Sequence, residues 1–333
     1  MRAIRLHEVG GPTNLRVETV DDPTPAAGEI RVRITRAAMN RRDVYITQGL
    51  YPGIKLPCIL GSDGVGTVDA LGEGAQGPAI GTRVVIDPTV NWGASERSWQ
   101  RDGHVLGMPE PGTFAEFVCV KAASVHPAPA SLSDDEAAAI PLAGITAYRA
   151  LVSRGQCTKD DVVLIPGIGS GVQTTALIFA KKIGAKVVVT SSSDEKLAAA
   201  KALGADVGIN YKTSEKWEKD VQAIDGGPSL VIDSVGGETF AKALNIARYG
   251  ARIVMYGGTT GDAKVRPFSI FWKQLDILGT SMGSPADFTN MLKMWDGSIK
   301  PVVDSVIEMD DIVAAAEKLD KNEAQGKIVL KIA

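Results

Sequence analysis

LIPGIGSGVQ, residues 164–173, joins the apolar run DVVLI (161–165) to a helix-forming run through alternating glycines. DVVLI ends at Pro166; Gly167, Gly169 and Gly171 follow, and VQTTALIFAKKIG reads as a helix. Glycine takes the Cβ out of a tight turn, so a ligand can approach the backbone closely. A helix N-terminus adds unpaired N–H groups and partial positive charge, which suit a pyrophosphate. Counted from Gly167, the G-x-G-x-x-G spacing needs glycine at Val172, so the match is incomplete. The bland alternative is a strand-to-helix turn with no ligand. Position favours the ligand, because this is the first strand of an α/β run with a helix directly after it. Gly167, Gly169, Ser170, Gly171 and Val172 are therefore the expected phosphate cradle.

Outward from that turn, KVVVT (186–190), VGINY (207–211), LVIDSV (230–235) and RIVMYG (252–257) are further buried-strand runs. Helical segments near 171–183, 194–203, 213–224 and 238–248 separate them. Strands so spaced need crossover connections, hence a doubly wound parallel sheet of Rossmann type. Residues 1–127 read differently. Short runs such as LRVETV (15–20), EIRVRITRA (29–37), TRVVID (82–87) and FAEFVCV (114–120) alternate with Gly, Pro and Asp turns, a β-rich pattern. After DILGTS (276–281) come a helix, the strand PVVDSVIEM, the helix DDIVAAAEKLDK and a last strand, GKIVLKI.

The end of the second parallel strand bears on the nucleotide. An NAD site usually places Asp or Glu there to hold the ribose hydroxyls. KVVVT runs instead into Ser191, Ser192, Ser193, Asp194, Glu195 and Lys196. Hydroxyls and an ammonium in place of a carboxylate suit a 2′-phosphate, so NADP(H) is expected, held by Ser191, Ser192, Lys196 and Tyr211. Ser193 also reads as a helix cap, with Asp194 and Glu195 favouring the helix's positive end. Gly257 and Gly258, after the fifth run, and Thr146 complete the expected cofactor set.

Composition narrows the class. The 333 residues suffice for two domains, and 44% apolar with 23% charged residues is ordinary for a globular protein. A formal charge of −3 offers no footprint for nucleic acid or an anionic membrane. Cys58, Cys119 and Cys157 are far apart, without CxxC spacing, and fit a reduced cytoplasmic setting. MRAIRLHEVG has no apolar leader core, and no stretch approaches membrane-spanning length.

Taken in series, MNRRDVYITQGLYP (39–52), GSDGVGTV (61–68), PLAGITAYRAL (141–151), the glycine turn and its helix, TSSSDEKLAAAKALGAD and the closing GKIVLKI resemble the medium-chain dehydrogenase/reductase superfamily. The likeness is to its zinc-free quinone oxidoreductase branch and to zinc-type alcohol dehydrogenase-like proteins. It implies an α/β protein in which residues 1–127 and 270–333 form a GroES-like catalytic domain. Residues 128–269 form the inserted Rossmann NADP-binding domain, with the active site in the cleft. It also implies a homodimer extended through the RIVMYG and DILGTS region.

Departures from the family pattern shape the expected chemistry. Zinc members of the superfamily hold the metal with a cysteine where this chain has Asn40, and with a GHE motif where it has Gly61, Ser62 and Asp63. A catalytic zinc takes three protein ligands, and no such set remains. The 89–112 stretch, where the resemblance implies a four-cysteine structural lobe, contains no cysteine. His7, His104 and His126 have no partner cluster. No bound metal is expected. Without a Lewis acid, hydrogen-bond donors must carry the charge that forms on a reduced carbonyl. By resemblance Asn40, Asp43, Tyr45, Tyr51, Ser62, Asp63 and Thr146 fall on cleft-lining positions, with Asn40, Tyr45, Tyr51 and Asp63 the catalytic candidates. The expected activity is NADPH-dependent reduction of quinones, enones or other activated carbonyls. The alternative is an NADPH-binding regulatory or structural protein with little turnover.

Overall fold

The computed structural model describes residues 1–333, which divide into two compact units. One comprises Met1–Ala143 with Ser284–Ala333; the other is Gly144–Gly283. The sequence boundaries at 127/128 and 269/270 fall outside these divisions for physical reasons. Helix Asp134–Ala138 is tied to the strands of the first unit, Thr35 and Arg83 binding Asp134 and Arg36 binding Asp135, each at 2.7 Å. Strand Asp276–Gly279 is hydrogen-bonded beside Arg252–Met255 and so belongs to the second unit.

The second unit is a six-stranded parallel sheet. Its spatial order is Val207–Asn210, Lys186–Ser191, Val162–Ile165, Leu230–Asp233, Arg252–Met255, Asp276–Gly279. The two central strands are buried throughout, which is why they read as unbroken apolar runs rather than alternating ones. The order reverses between Val162–Ile165 and Leu230–Asp233, and ligands of such sheets bind outside the strands' carboxyl ends at that point. The glycine turn lies there. Helix Gly171–Ile183 starts at Ser170, whose Oγ accepts the Gln173 N–H, and stops at Gly184 in the left-handed conformation (φ 98°).

The first unit is the GroES-like body. Strand Glu29–Ala38 lies at its centre, antiparallel to Asp63–Leu71, Phe117–Lys121 and the C-terminal strand Lys327–Lys331. Ala38 faces Asp63 on one side and Val329 on the other, and Met39 N–H donates to Ile328 O at 2.9 Å. This register brings Asn40, Asp63 and Lys327 together from three distant parts of the chain.

The cysteine-free lobe is held by aromatic packing. A short hairpin pairs Thr89–Val90 with His104–Val105. Within it Trp92 is buried, lies 6.3 Å from Trp99, and donates its indole N–H to Ser95 O at 2.7 Å. The base of the lobe presses on Gly61. A Cβ on Gly107 or Gly112 would come within 2.5 or 2.0 Å of Gly61 O, so only glycine fits this backbone-to-backbone approach.

Candidate functional site

In the first unit, Asn40 is the N-cap of helix Arg41–Thr47, and Asp63 opens the strand beside it. Lys327 Nζ donates to Asn40 Oδ1 at 2.6 Å and to Asp63 Oδ2 at 2.7 Å, while Asn40 Nδ2 donates to the same Asp63 oxygen at 2.9 Å. Asp63 Oδ1 accepts the Leu142 N–H at 2.7 Å. Both ends of the Asn40 amide and both Asp63 oxygens are therefore engaged inside the protein. All three side chains are buried.

Two residues on, Arg42 organises a second cluster. Its Nη1 donates to Ser62 Oγ at 2.8 Å and to Leu106 O at 2.9 Å, and the Ser62 hydroxyl donates to that same carbonyl at 2.8 Å. Tyr51 lays its ring over the guanidinium, 4.9 Å from centroid to Cζ. Asp43 Oδ2 accepts the Asn40 N–H at 2.8 Å, whereas its Oδ1 has no hydrogen-bond partner. Burial pushes the Asp43 carboxyl up to about 6 against the pull of Arg42. Tyr45 stands half-buried on the same helix.

Tested against zinc, these residues do not fit. The two positions at which the resemblance implies zinc ligands, Asn40 and Ser62, hold an amide bound to an ammonium and a hydroxyl bound to a guanidinium. A dication placed there would meet two resident cations. No group of three or more His, Cys, Asp or Glu side chains is arranged to hold a metal ion anywhere in the chain. The histidines have local partners instead: His7 lies 2.7 Å from Glu18, His104 3.4 Å from Glu110, and His126 packs on Phe288.

In the second unit the glycine turn, Ser191, Tyr211 and the Gly257–Gly258 loop stand at or just after the carboxyl ends of parallel strands. Gly167 (φ 68°) and Gly169 (φ 135°) are left-handed or beyond, and a Cβ on Gly169 would meet the Lys196 side chain at 2.9 Å. Ser170, Gly171 and Val172 form the helix start. Gln173 Nε2 ties Pro166 O (2.7 Å) to Ser234 Oγ (3.1 Å) across the point where strand order reverses. Ser191 is buried at the end of the second strand, with Ser192 beside it. The Tyr211 N–H donates to Ser191 O at 3.1 Å, which sets Tyr211 next to that strand end. Gly257 and Gly258 belong to a loop folded against 234–237, Thr259 N–H donating to Ser234 O at 3.1 Å. Thr146 lies on helix Pro141–Tyr148, its buried hydroxyl without a partner. A turn that lacks a Cβ at Gly167, Gly169 and Gly171, with the Lys196 side chain against Gly169, fits a dinucleotide phosphate.

Sequence reasoning missed Lys327 and Arg42. The signal for Lys327 is a cation opening the strand KIVLK directly before three apolar residues, all four of them buried.

The sequence matches the family described as "Zinc-binding dehydrogenase" over residues 171–296 and "Alcohol dehydrogenase GroES-like domain" over 26–130. It is 35% identical to the zinc-type alcohol dehydrogenase-like protein YogA of Leptosphaeria maculans, covering 94% of this chain and 92% of that one. It is 32% identical to an acryloyl-coenzyme A reductase of Sulfurisphaera tokodaii, covering 97% and 98%. A crystal structure of an NAD-dependent alcohol dehydrogenase superposes with a TM-score of 0.93 at 36% identity, covering 100% of both chains. Among solved structures at a TM-score of 0.88, an Escherichia coli alcohol dehydrogenase (26% identical, covering 100% and 99%) carries NADH. A crotonyl-CoA carboxylase/reductase (24%, covering 100% and 94%), alike in fold, carries NADP. The chain belongs to the medium-chain dehydrogenase/reductase family of zinc-type alcohol dehydrogenase-like oxidoreductases.

Proposed function

We propose that the protein is an NADPH-dependent, zinc-independent reductase of quinones, enones or other activated carbonyls, working as a homodimer in a reducing cytoplasm. The observation that carries this reading is the pair of cations at the former ligand positions, Lys327 on Asn40 and Arg42 on Ser62. An isolated alkoxide concentrates a full charge on one oxygen, and a site without a metal serves it poorly. A conjugated acceptor spreads that charge over several atoms and needs less help. The acryloyl-coenzyme A reductase likeness points the same way.

In this reading Asn40 and Asp63 act as positioning residues, since their polar atoms are already spent on Lys327 and the backbone. Tyr45 and Tyr51 wall the substrate pocket. The bound nicotinamide supplies the hydride. Gly167, Gly169, Ser170, Gly171 and Val172 hold its pyrophosphate, and Ser191, Ser192, Lys196 and Tyr211 the 2′-phosphate. Thr146, Gly257 and Gly258 line the remainder of the cofactor site. The three cysteines are unpaired, and burial pushes their thiols up to about 11, 11 and 12, as suits inert thiols in a reducing compartment. With a charge of −3 and no helix long and apolar enough to cross a membrane, the expected partners are small molecules.

The test is NADPH oxidation across a panel of quinones, enones, aldehydes and simple alcohols. Turnover concentrated on conjugated acceptors supports the reading. Tight NADPH binding with no turnover on any acceptor replaces it with a regulatory role.

A further inference from the structure

The glycine spacing breaks at Val172, and the next residue, Gln173, is a polar side chain only 4% exposed in the first turn of helix Gly171–Ile183. A buried amide must find partners for its N–H groups and its oxygen. Gln173 finds them on the turn itself. Its Nε2 donates to Pro166 O at 2.7 Å and to Ser234 Oγ at 3.1 Å, and its Oε1 accepts the Ser170 N–H at 3.3 Å. Helix capping explains the Oε1 contact alone, since a glutamate would accept that N–H equally well. The two donations need a further reason. They join the carbonyl that opens the turn to the residue following strand Leu230–Asp233, across the point where strand order reverses.

Inside the turn, some N–H groups are used by the protein and others are not. Gly167 donates to Thr190 Oγ1 at 3.3 Å, Ile168 to Thr190 O at 2.9 Å, and Ser170 to Gln173. The N–H groups of Gly169, Gly171 and Val172 have no acceptor in the protein, and the last two open the helix. Glycine at φ 68° (Gly167) and 135° (Gly169) gives this backbone little stiffness of its own. Gln173 grips it at Pro166 O, where it begins, and at Ser170 N, where it meets the helix. One side chain thus fixes both ends of the segment that carries Gly169.

We propose that Gln173 is the positioning residue of the phosphate turn: its amide holds the backbone that offers the N–H groups of Gly169, Gly171 and Val172 to a dinucleotide pyrophosphate. This rests on the nucleotide reading above. Gln173 spends its own polar atoms on the protein and acts through the backbone. Donors held in place before binding spare the cost of ordering the turn when the ligand arrives.

The test titrates NADPH and 2′-AMP calorimetrically into the full chain; 2′-AMP carries the adenosine 2′-phosphate without a pyrophosphate. Gln173→Met keeps the length of the side chain and removes all three amide hydrogen bonds. Its NADPH dissociation constant is expected to rise at least about tenfold, the scale of one or two lost hydrogen bonds, while that of 2′-AMP changes by less than about threefold. A generally loosened unit would weaken both ligands alike. Ser234→Ala removes one acceptor of Nε2 and is expected to weaken NADPH about threefold, but to add nothing in the Gln173→Met background, where that bond is already gone. NADPH affinity within about twofold of the unmodified protein in Gln173→Met overturns the proposal, and so do equal losses for the two ligands. Should Gln173→Met fail to fold, Ser234→Ala decides, and unchanged NADPH affinity there overturns it. The same titrations with NADH separate this proposal from the choice of cofactor. An unmodified protein that prefers NADH removes the 2′-phosphate reading, and a tenfold loss of NADH in Gln173→Met, on the same scale of about one or two hydrogen bonds, still supports Gln173. Binding of neither dinucleotide to the unmodified protein removes the nucleotide reading and this proposal with it.

Discussion

Lys327 Nζ lies 2.7 Å from Asp63 Oδ2, and both side chains are withdrawn from solvent. Removing one member of such a pair leaves the other charge buried and uncompensated, at a typical cost of about 3–5 kcal/mol. Replacing both charges removes that penalty. Lys327→Met is expected to lower unfolding free energy by that amount, and Lys327→Met with Asp63→Asn to recover most of it. Urea unfolding checks both, and a single variant with an unchanged midpoint would contradict the pairing.

The same ammonium, with Arg42, argues against metal binding. Protein purified without added metal is expected to hold no stoichiometric zinc. Restoring ligand types alone should not rescue binding, because Asn40→Cys with Ser62→His leaves both cations in the site. Elemental analysis after dialysis against a chelator decides this. About one zinc per chain in the unmodified protein would sink the zinc-free reading.

The parallel sheet was legible because its central strands are buried on both faces and its helices carry local signals. Ser170 with Gln173, and Gly184, mark the ends of the first helix as capping chemistry requires. The glycine turn and the end of the next strand were legible for the same reason, since both are local in sequence. The substrate-side clusters were not. Lys327 meets Asn40 through the register of two antiparallel strands, across 287 positions, and no local pattern encodes that. Arg42 reads in sequence as one more charge in NRRD; only the fold shows it buried with donors left over.

Preference for NADPH is testable at Ser191, which ends the second strand beside Tyr211. An aspartate there would repel the 2′-phosphate and offer the ribose an acceptor. Losing one or two charge-assisted hydrogen bonds, each about 1.5–3 kcal/mol, gives a shift of tenfold or more. Ser191→Asp is therefore expected to weaken NADPH and improve NADH, read as the ratio of their dissociation constants. Equal affinities in the unmodified protein would refute the assignment.

Strand Asp276–Gly279 is the edge of the parallel sheet and is largely exposed. Phe268, Phe271 and Trp272 stand 50, 63 and 57% exposed just before it, Phe268 stacked on Trp272 at 5.3 Å. An open edge beside exposed aromatics invites a second copy, which would pair edge to edge and cover the rings. Sedimentation should give a dimer, and Phe271→Glu with Trp272→Glu should shift it to monomer. A monomeric unmodified protein would remove this reading.

Asp87 sets a pH dependence of stability. It is 3% exposed, its Oδ1 accepts the Thr89 N–H at 2.9 Å, and burial, with Asp287 nearby, raises its carboxyl to about 7 from 3.8. The folded state therefore holds a proton that the unfolded chain releases near its ordinary value. Stability from this group is fully present below about pH 4 and is lost as pH rises through about 7. Asp43, raised to about 6, acts in the same direction at lower pH. Asp87→Asn keeps an acceptor for Thr89 and cannot ionise, so its curve lacks the Asp87 component. Between pH 5 and 8 the variant is expected to gain about 3 kcal/mol on the unmodified protein, at about 1.4 kcal/mol per pKa unit. Urea unfolding of both proteins across that window measures the gap. Parallel curves would mean that Asp87 is ionised throughout and that burial there costs far less than the geometry implies.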